Sequence, residues 1–108
     1  MSMITNDPVQ CERAHNVLKD VYDPEIGLNV VDLGLIYQID FDEAIHSIYV
    51  RMTLTTQFCP MGESITDAVK RMLELSFDNT QVKIELVFDP PWNHEMISEE
   101  GKEFLNGE

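Results

Sequence analysis

Apolar residues first recur at Ala14, Val17, Leu18 and Val21, steps of three and four that line one face of a helix. Asp7 and Pro8 stand where a cap and a first helical residue belong, and Asp23-Pro24 stops the pattern. Residues 23–34 mix turn formers with apolar side chains without a clean period and read as an ordered connection. Tyr37, Ile39 and Phe41 then alternate with Gln38 and Asp40, and Ile48, Val50, Met52 and Leu54 alternate with Tyr49, Arg51, Thr53 and Thr55. Two such runs around the polar stretch from Asp42 to His46 predict an antiparallel hairpin. After Pro60, the residues Ile65, Ala68, Val69, Met72 and Leu73 make an apolar helix face opposite Glu63, Asp67, Lys70 and Glu74. Val82, Ile84, Leu86 and Phe88 predict a third strand that ends at Asp89-Pro90-Pro91-Trp92, and Ser98 can cap a last helix holding Phe104 and Leu105. The order α-β-β-α-β-α predicts a two-layer α+β fold over residues 1–108, one domain with helices covering a small mixed three-stranded sheet. Its strand-helix-strand unit requires a right-handed crossover and a parallel pair.

With 108 residues, 44% of them hydrophobic and 25% charged, the chain suits one small globular domain. No apolar run reaches the length of a membrane span, and residues 1–7 lack a basic stretch and an apolar core, so a cytoplasmic protein is expected. A formal net charge of -13 disfavours direct binding to nucleic acid or anionic lipid, because neutralising phosphate requires clustered Lys and Arg. Cations and basic protein surfaces suit it better. Cys11 and Cys59 are the two cysteines, and a lone pair in a cytosolic chain reads as two separate thiols.

Cys59 is the residue with the best-placed chemistry. Standing directly before Pro60 where a helix pattern opens, it occupies the cap position, facing backbone N–H groups and the positive end of the helix dipole. That setting favours a reactive thiolate. The dipole contributes only ~0.3 to 1 kcal/mol at an exposed site, under one pKa unit. Glu63 and Asp67 in the same helix oppose it, as do Asp23 and Glu25 if the connection folds back. A bound cation reverses the balance, since coordination deprotonates the thiol and the carboxylates then add to affinity. The competing reading is a buried, inert cysteine. Thr53, Thr55 and Thr56 present hydroxyls near the sulfur or serve only as strand formers. Asp23, Glu25 and Asp32 form a metal or acid–base group, or simply bond the backbone of their turns. Cys11 and His15, four apart on one helix face, have the spacing of a metal pair, but Cys11 borders the apolar stripe and reads as a small packing residue; His46 belongs to the hairpin turn, and His94 is the one histidine worth testing beside Cys59. Trp92 either seals the core or anchors a partner.

Asp23-Pro24-Glu25, Val31-Asp32-Leu33-Gly34-Leu35-Ile36, Met52-Thr53-Leu54-Thr55-Thr56 with Cys59-Pro60, and Pro90-Pro91-Trp92 occur in this order. Together they resemble the metal-sulfur cluster biosynthesis family, which includes SufT-like and PaaD-like proteins, from about Val9 to Leu105. The resemblance implies a small α+β fold and a role in maturing iron-sulfur proteins, with eukaryotic relatives serving as targeting subunits for cytosolic cluster delivery. Carried over by position, the family's site falls on Asp23, Glu25, Ile26, Thr55, Thr56 and Cys59. Lys102 stands where the family would carry Arg, and a lysine cannot make a bidentate contact there. The resulting expectation is a non-enzymatic assembly or maturation factor that assists cluster delivery to apo-proteins, with Cys59 as transient metal or sulfur ligand. No permanent cofactor is expected, only a transient iron-sulfur cluster or iron. One cysteine cannot hold a cluster needing four ligands, so a homodimer, a carrier or scaffold protein, or a small thiol must complete the set. The alternatives are a thiol enzyme or redox sensor with Cys59 as nucleophile, and an adaptor in a phenylacetate-degradation-type complex that recruits partners through Trp92.

Overall fold

The computed structural model describes residues 4–24, 26–55 and 62–106. Strand β1 (Ile4–Thr5) precedes helix α1 (Pro8–Leu18), the hairpin of β2 (Ile36–Asp42) and β3 (Ser47–Met52), helix α2 (Gly62–Ser76), strand β4 (Gln81–Leu86) and helix α3 (Glu99–Asn106), with a short 3-10 turn at His94–Met96. The sheet order is β1-β2-β3-β4. β2 and β3 are antiparallel, while β3 and β4 are parallel across the α2 crossover, as predicted. The fold is α+β, but the sheet has four strands rather than three. The addition is β1, whose two residues pair in parallel with Gln38 and Ile39. Two residues carry no period to read, and the pairing is held instead by Asn6, whose amide bonds both the N–H and the C=O of Phe41.

Asp7 caps α1 by accepting from the Gln10 N–H, and Pro8 occupies its first turn, where a missing N–H costs nothing. The helix buries Cys11, Ala14 and Leu18. From α2, Ile65, Val69 and Leu73 face the same core, four residues apart on one stripe. They meet Ile39, Ile48, Val50, Met52 and Val82 from the sheet, each at most 1% exposed. Tyr49 and Arg51 alternate with these buried residues on the open face of β3.

Two details depart from strict alternation. The β2–β3 register shifts between Ile36 and Gln38, so Ile36 and Ile39 are both buried and Tyr37 is left half-buried, its hydroxyl donating to the Pro90 carbonyl. β4 ends at Leu86 rather than Phe88, and both of those side chains are substantially exposed.

The connection through residues 26–35 is ordered, as expected, and inserts Leu28, Val30, Leu33 and Leu35 into the core. The C-terminal segment is clasped onto it. Trp92 Nε1 donates to the Leu33 carbonyl at 2.6 Å, the Ser98 N–H donates to the Asp32 carbonyl, and Ser98 Oγ donates to Asp32 Oδ1. Gly34, at φ +78°, lets the two segments touch: a Cβ there would lie 2.9 Å from both the carbonyl carbon and Cβ of Met96. Ser98 also caps α3 by accepting from the Gly101 N–H.

Candidate functional site

Asp23 leaves α1 into a tight turn. Its N–H donates to Leu28 O, its C=O accepts from the Gly27 N–H at 2.8 Å, and its Oδ1 accepts from the Ile26 N–H at 3.3 Å. Gly27 supplies the positive φ of +81° that closes the loop. The Asp23 side chain is only 1% exposed, so one carboxylate oxygen already serves the turn's backbone. Ile26 is half-buried against the core.

Backbone hydrogen bonds carry this turn sideways to the end of β3. Val30 N–H donates to Val21 O, Leu35 N–H to Val30 O, and Thr53 N–H to Leu35 O at 2.8 Å. Segments that are distant in sequence thus lie side by side through main-chain groups. Thr53 is completely buried and Thr55 half-buried. The chain is next described at Gly62, where α2 begins. A shallow groove of about 320 Å³ separates the start of α2 from the Asp23 turn, with Tyr22 and Pro24 on one wall and Ser64, Ile65, Ala68 and Met72 on the other. The Asp23 turn is thus linked through residues 28–35 to Thr53, and its flanking residues Tyr22 and Pro24 face the start of α2 across the groove. Glu25, Thr56 and Cys59, including the proposed cap position of Cys59, lie outside the described residues.

The other sequence candidates sit elsewhere. Asp32 accepts from Asn29 Nδ2 at 2.7 Å and from Ser98 Oγ at 2.9 Å, so both of its oxygens hold the clasp. Among the described residues no group of three or more His, Cys, Asp or Glu is arranged to hold a metal ion. Cys11 is 5% exposed in the core; burial, aided by Asp40 and Asp7, pushes its thiol pKa up against a hydrogen bond with Thr5. Burial and the neighbouring Lys19 push His15 down, opposed by Glu12. His46 lies in the hairpin turn at φ 51°. Trp92 is half-buried against the core, its Nε1 taken by Leu33, and its ring lies 5.2 Å from that of His94. Lys102 is exposed on α3.

Sequence reasoning gave no role to Tyr37. Burial raises its pKa, a hydrogen bond with Thr53 works the other way, and its hydroxyl reaches Pro90 and Met96. It therefore ties the threonine stretch to the C-terminal segment. Its only signal was a large amphipathic residue in a strand, which is too common to single out.

Residues 12–86 match the model of a family described as iron-sulfur cluster assembly protein. The chain is 46% identical over 84 residues to an Fe-S protein maturation auxiliary factor of Porphyromonas gingivalis, covering 78% of this chain and 79% of that one. It is 39% identical over 82 residues to the Fe-S protein maturation auxiliary factor SufT of Staphylococcus aureus, covering 76% and 92%. A crystal structure of a domain of unknown function from Bacillus anthracis superposes with a TM-score of 0.82 at 32% identity, covering 88% and 90%. A solution structure of a Mycobacterium tuberculosis protein associated with Fe-S complex assembly and repair gives 0.51 at 37% identity, covering 92% and 82%.

Proposed function

The chain belongs to the iron-sulfur cluster assembly protein family, and from that premise we propose that it assists cluster delivery to apo-proteins with Cys59 as a transient iron or sulfur ligand. The observation that carries this reading is the backbone ladder from Val21 through Val30 and Leu35 to Thr53. It links the Asp23 turn through residues 28–35 to Thr53, and Cys59 follows Thr55 by four positions and precedes Gly62 by three. If the Asp23 carboxylate and the threonine hydroxyls serve together with the Cys59 thiol, such a site would receive a cation and release it, since oxygen donors with a single sulfur bind iron less firmly than a full thiolate set. Cys11 is enclosed in the core, so it does not supply a second sulfur. The remaining ligands come from an apo-protein client, a cluster carrier, a small thiol or a second copy of the chain. The naming of relatives as auxiliary factors supports a non-catalytic role.

The test is anaerobic cluster transfer from a loaded carrier to an apo-ferredoxin, comparing wild type with Cys59→Ser and Cys11→Ser. Iron content and the visible absorption of the client are the readouts. Wild type accelerates transfer, Cys59→Ser loses at least tenfold of that acceleration, and Cys11→Ser keeps it. Equal transfer by Cys59→Ser and wild type, or no iron uptake by wild type with the carrier present, refutes a ligand role for Cys59.

A further inference from the structure

A second and larger groove, about 750 Å³, runs between α1 and the C-terminal segment, and its lining includes none of Asp23, Ile26 or Thr55. Such a volume fits a small organic ligand. Val31, Ile36 and Met96 give it an apolar floor, while Lys19 from α1, Arg51 from β3 and Lys102 from α3 converge on it. Three of the chain's seven Lys and Arg residues thus line one groove of a molecule whose formal net charge is -13.

Arg51 is the informative member. Its Nε is buried and has no hydrogen-bond partner. A buried N–H without an acceptor is costly, and native structures seldom leave one so. Of its cross-strand neighbours, Gln38 donates through Nε2 to Asp40 and Glu85 accepts through Oε1 from the Tyr49 hydroxyl, and neither accepts from Arg51 Nε. The groove carboxylate nearest the clasp, Asp32, is occupied by Asn29 and Ser98.

We propose that this groove binds a carboxylate-bearing ligand with an apolar side group, anchored by Arg51 and flanked by Lys19 and Lys102. A guanidinium matches a carboxylate through two parallel N–H donors, and the ligand's apolar group covers Ile36 and Met96. The exposed Glu12, Glu95 and Glu99 on the rim select against a phosphate dianion, which they repel more strongly than a monoanion. The carboxylate belongs either to a free small acid or to the C-terminus of a polypeptide. The inference is independent of the cluster-delivery reading, since none of the described residues of the candidate cysteine site lines this groove.

The experiment is an NMR titration of the 15N-labelled protein with N-acetyl-leucine, N-acetyl-leucinamide, inorganic phosphate and an N-acetylated tetrapeptide ending in a free Leu carboxylate. N-acetyl-leucine produces saturable shifts at Ile36, Gln38 and Arg51, and both the amide and phosphate bind about tenfold or more weakly. Tetrapeptide binding that is tighter than N-acetyl-leucine assigns the site to polypeptide termini, whereas equal or weaker binding assigns it to free small acids. Arg51→Gln abolishes the response, and Lys102→Gln, an exposed change that leaves the core intact, weakens it several-fold. Equal binding of acid and amide, tighter binding of phosphate, or unchanged binding in both variants overturns the proposal.

Discussion

Gly34→Ala, set against Gly27→Ala, isolates the energetic weight of the clasp between the C-terminal segment and the loop beneath it. Both glycines have positive φ, +78° and +81°. A left-handed conformation costs a residue with a side chain ~1 to 2 kcal/mol, and that cost applies equally to the two. At Gly27 a new Cβ meets nothing within 4 Å, so the conformational cost is the whole effect. At Gly34 the new Cβ lies 2.9 Å from the carbonyl carbon of Met96, where backbone must move. Met96 cannot withdraw easily, because Trp92 on one side and Ser98 on the other are bonded to Leu33 and Asp32. Forcing a methyl into a fixed contact adds ~1 to 3 kcal/mol. Gly34→Ala should thus destabilise the protein by ~2 to 5 kcal/mol and Gly27→Ala by ~1 to 2 kcal/mol. Equilibrium urea unfolding of both variants, with slopes checked against wild type, measures the difference. Equal losses, or a larger loss at Gly27, would show that the close approach at Met96 contributes nothing and would refute the reasoning.

Two further outcomes follow from α1. His15 is pushed below its ordinary pKa of 6.5 chiefly by burial, so the unfolded chain takes up the proton first as pH falls. The stability due to its neutral form is intact above about 6.5 and declines as pH falls from there through the lowered folded value. Urea midpoints between pH 7.5 and 5 should therefore fall less steeply in His15→Gln than in wild type, and parallel curves would exclude the effect. Arg13 donates to the Ser76 carbonyl at the C-terminal end of α2 at 2.7 Å and lies 4.4 Å from the Phe77 ring centre. Arg13→Ala should cost ~1 to 2 kcal/mol through lost helix-end and cation–π contacts, and a thermal or urea shift equivalent to under ~0.3 kcal/mol, below the range for one such contact, would contradict this.

Elements with a sustained period were legible in the sequence. Ala14, Leu18 and Val21 of the first stripe, the Ile48–Val50–Met52 alternation, and Ile65, Val69 and Leu73 of the second helix face are buried where the pattern put them, while Val17, Ala68 and Met72 are half-buried. Local chemistry was legible too: Asp7 and Ser98 cap the helices expected of them. Features created by long-range contact were not. A two-residue strand such as β1 exists only because β2 lies beside it, and the shift at Ile36–Gln38 that frees Tyr37 leaves no local signature. Asp32 illustrates the limit at the site. Its acidity suggested metal or proton chemistry beside the favoured turn bonding, and only the positions of Asn29 and Ser98, the latter 66 residues away, decide how its oxygens are used. Trp92 joined the core and the clasp for the same reason, since its partner Leu33 is 59 residues distant.

The way the site is framed determines which substitutions can test its chemistry. Because Val21, Val30, Leu35 and Thr53 are joined through main-chain groups, side chains projecting from these segments can be exchanged without cutting the ladder. Thr55, half-buried three residues beyond the end of β3, is such a position. Asp23 is different: it is enclosed, and its Oδ1 supports the Ile26 N–H, so truncation to Ala removes the turn's acceptor together with any charge it brings to a cation. Asp23→Asn keeps an acceptor of the same shape for the Ile26 N–H while it removes the charge and turns the other oxygen into an N–H donor. If Asp23 serves the turn alone, Asn should preserve both folding and cluster transfer. If its charge also helps hold iron beside Cys59, Asn should preserve folding while slowing transfer. The contrast between Asn and Ala at this one buried carboxylate therefore separates architecture from cation binding, which the acidic character of the chain as a whole cannot do.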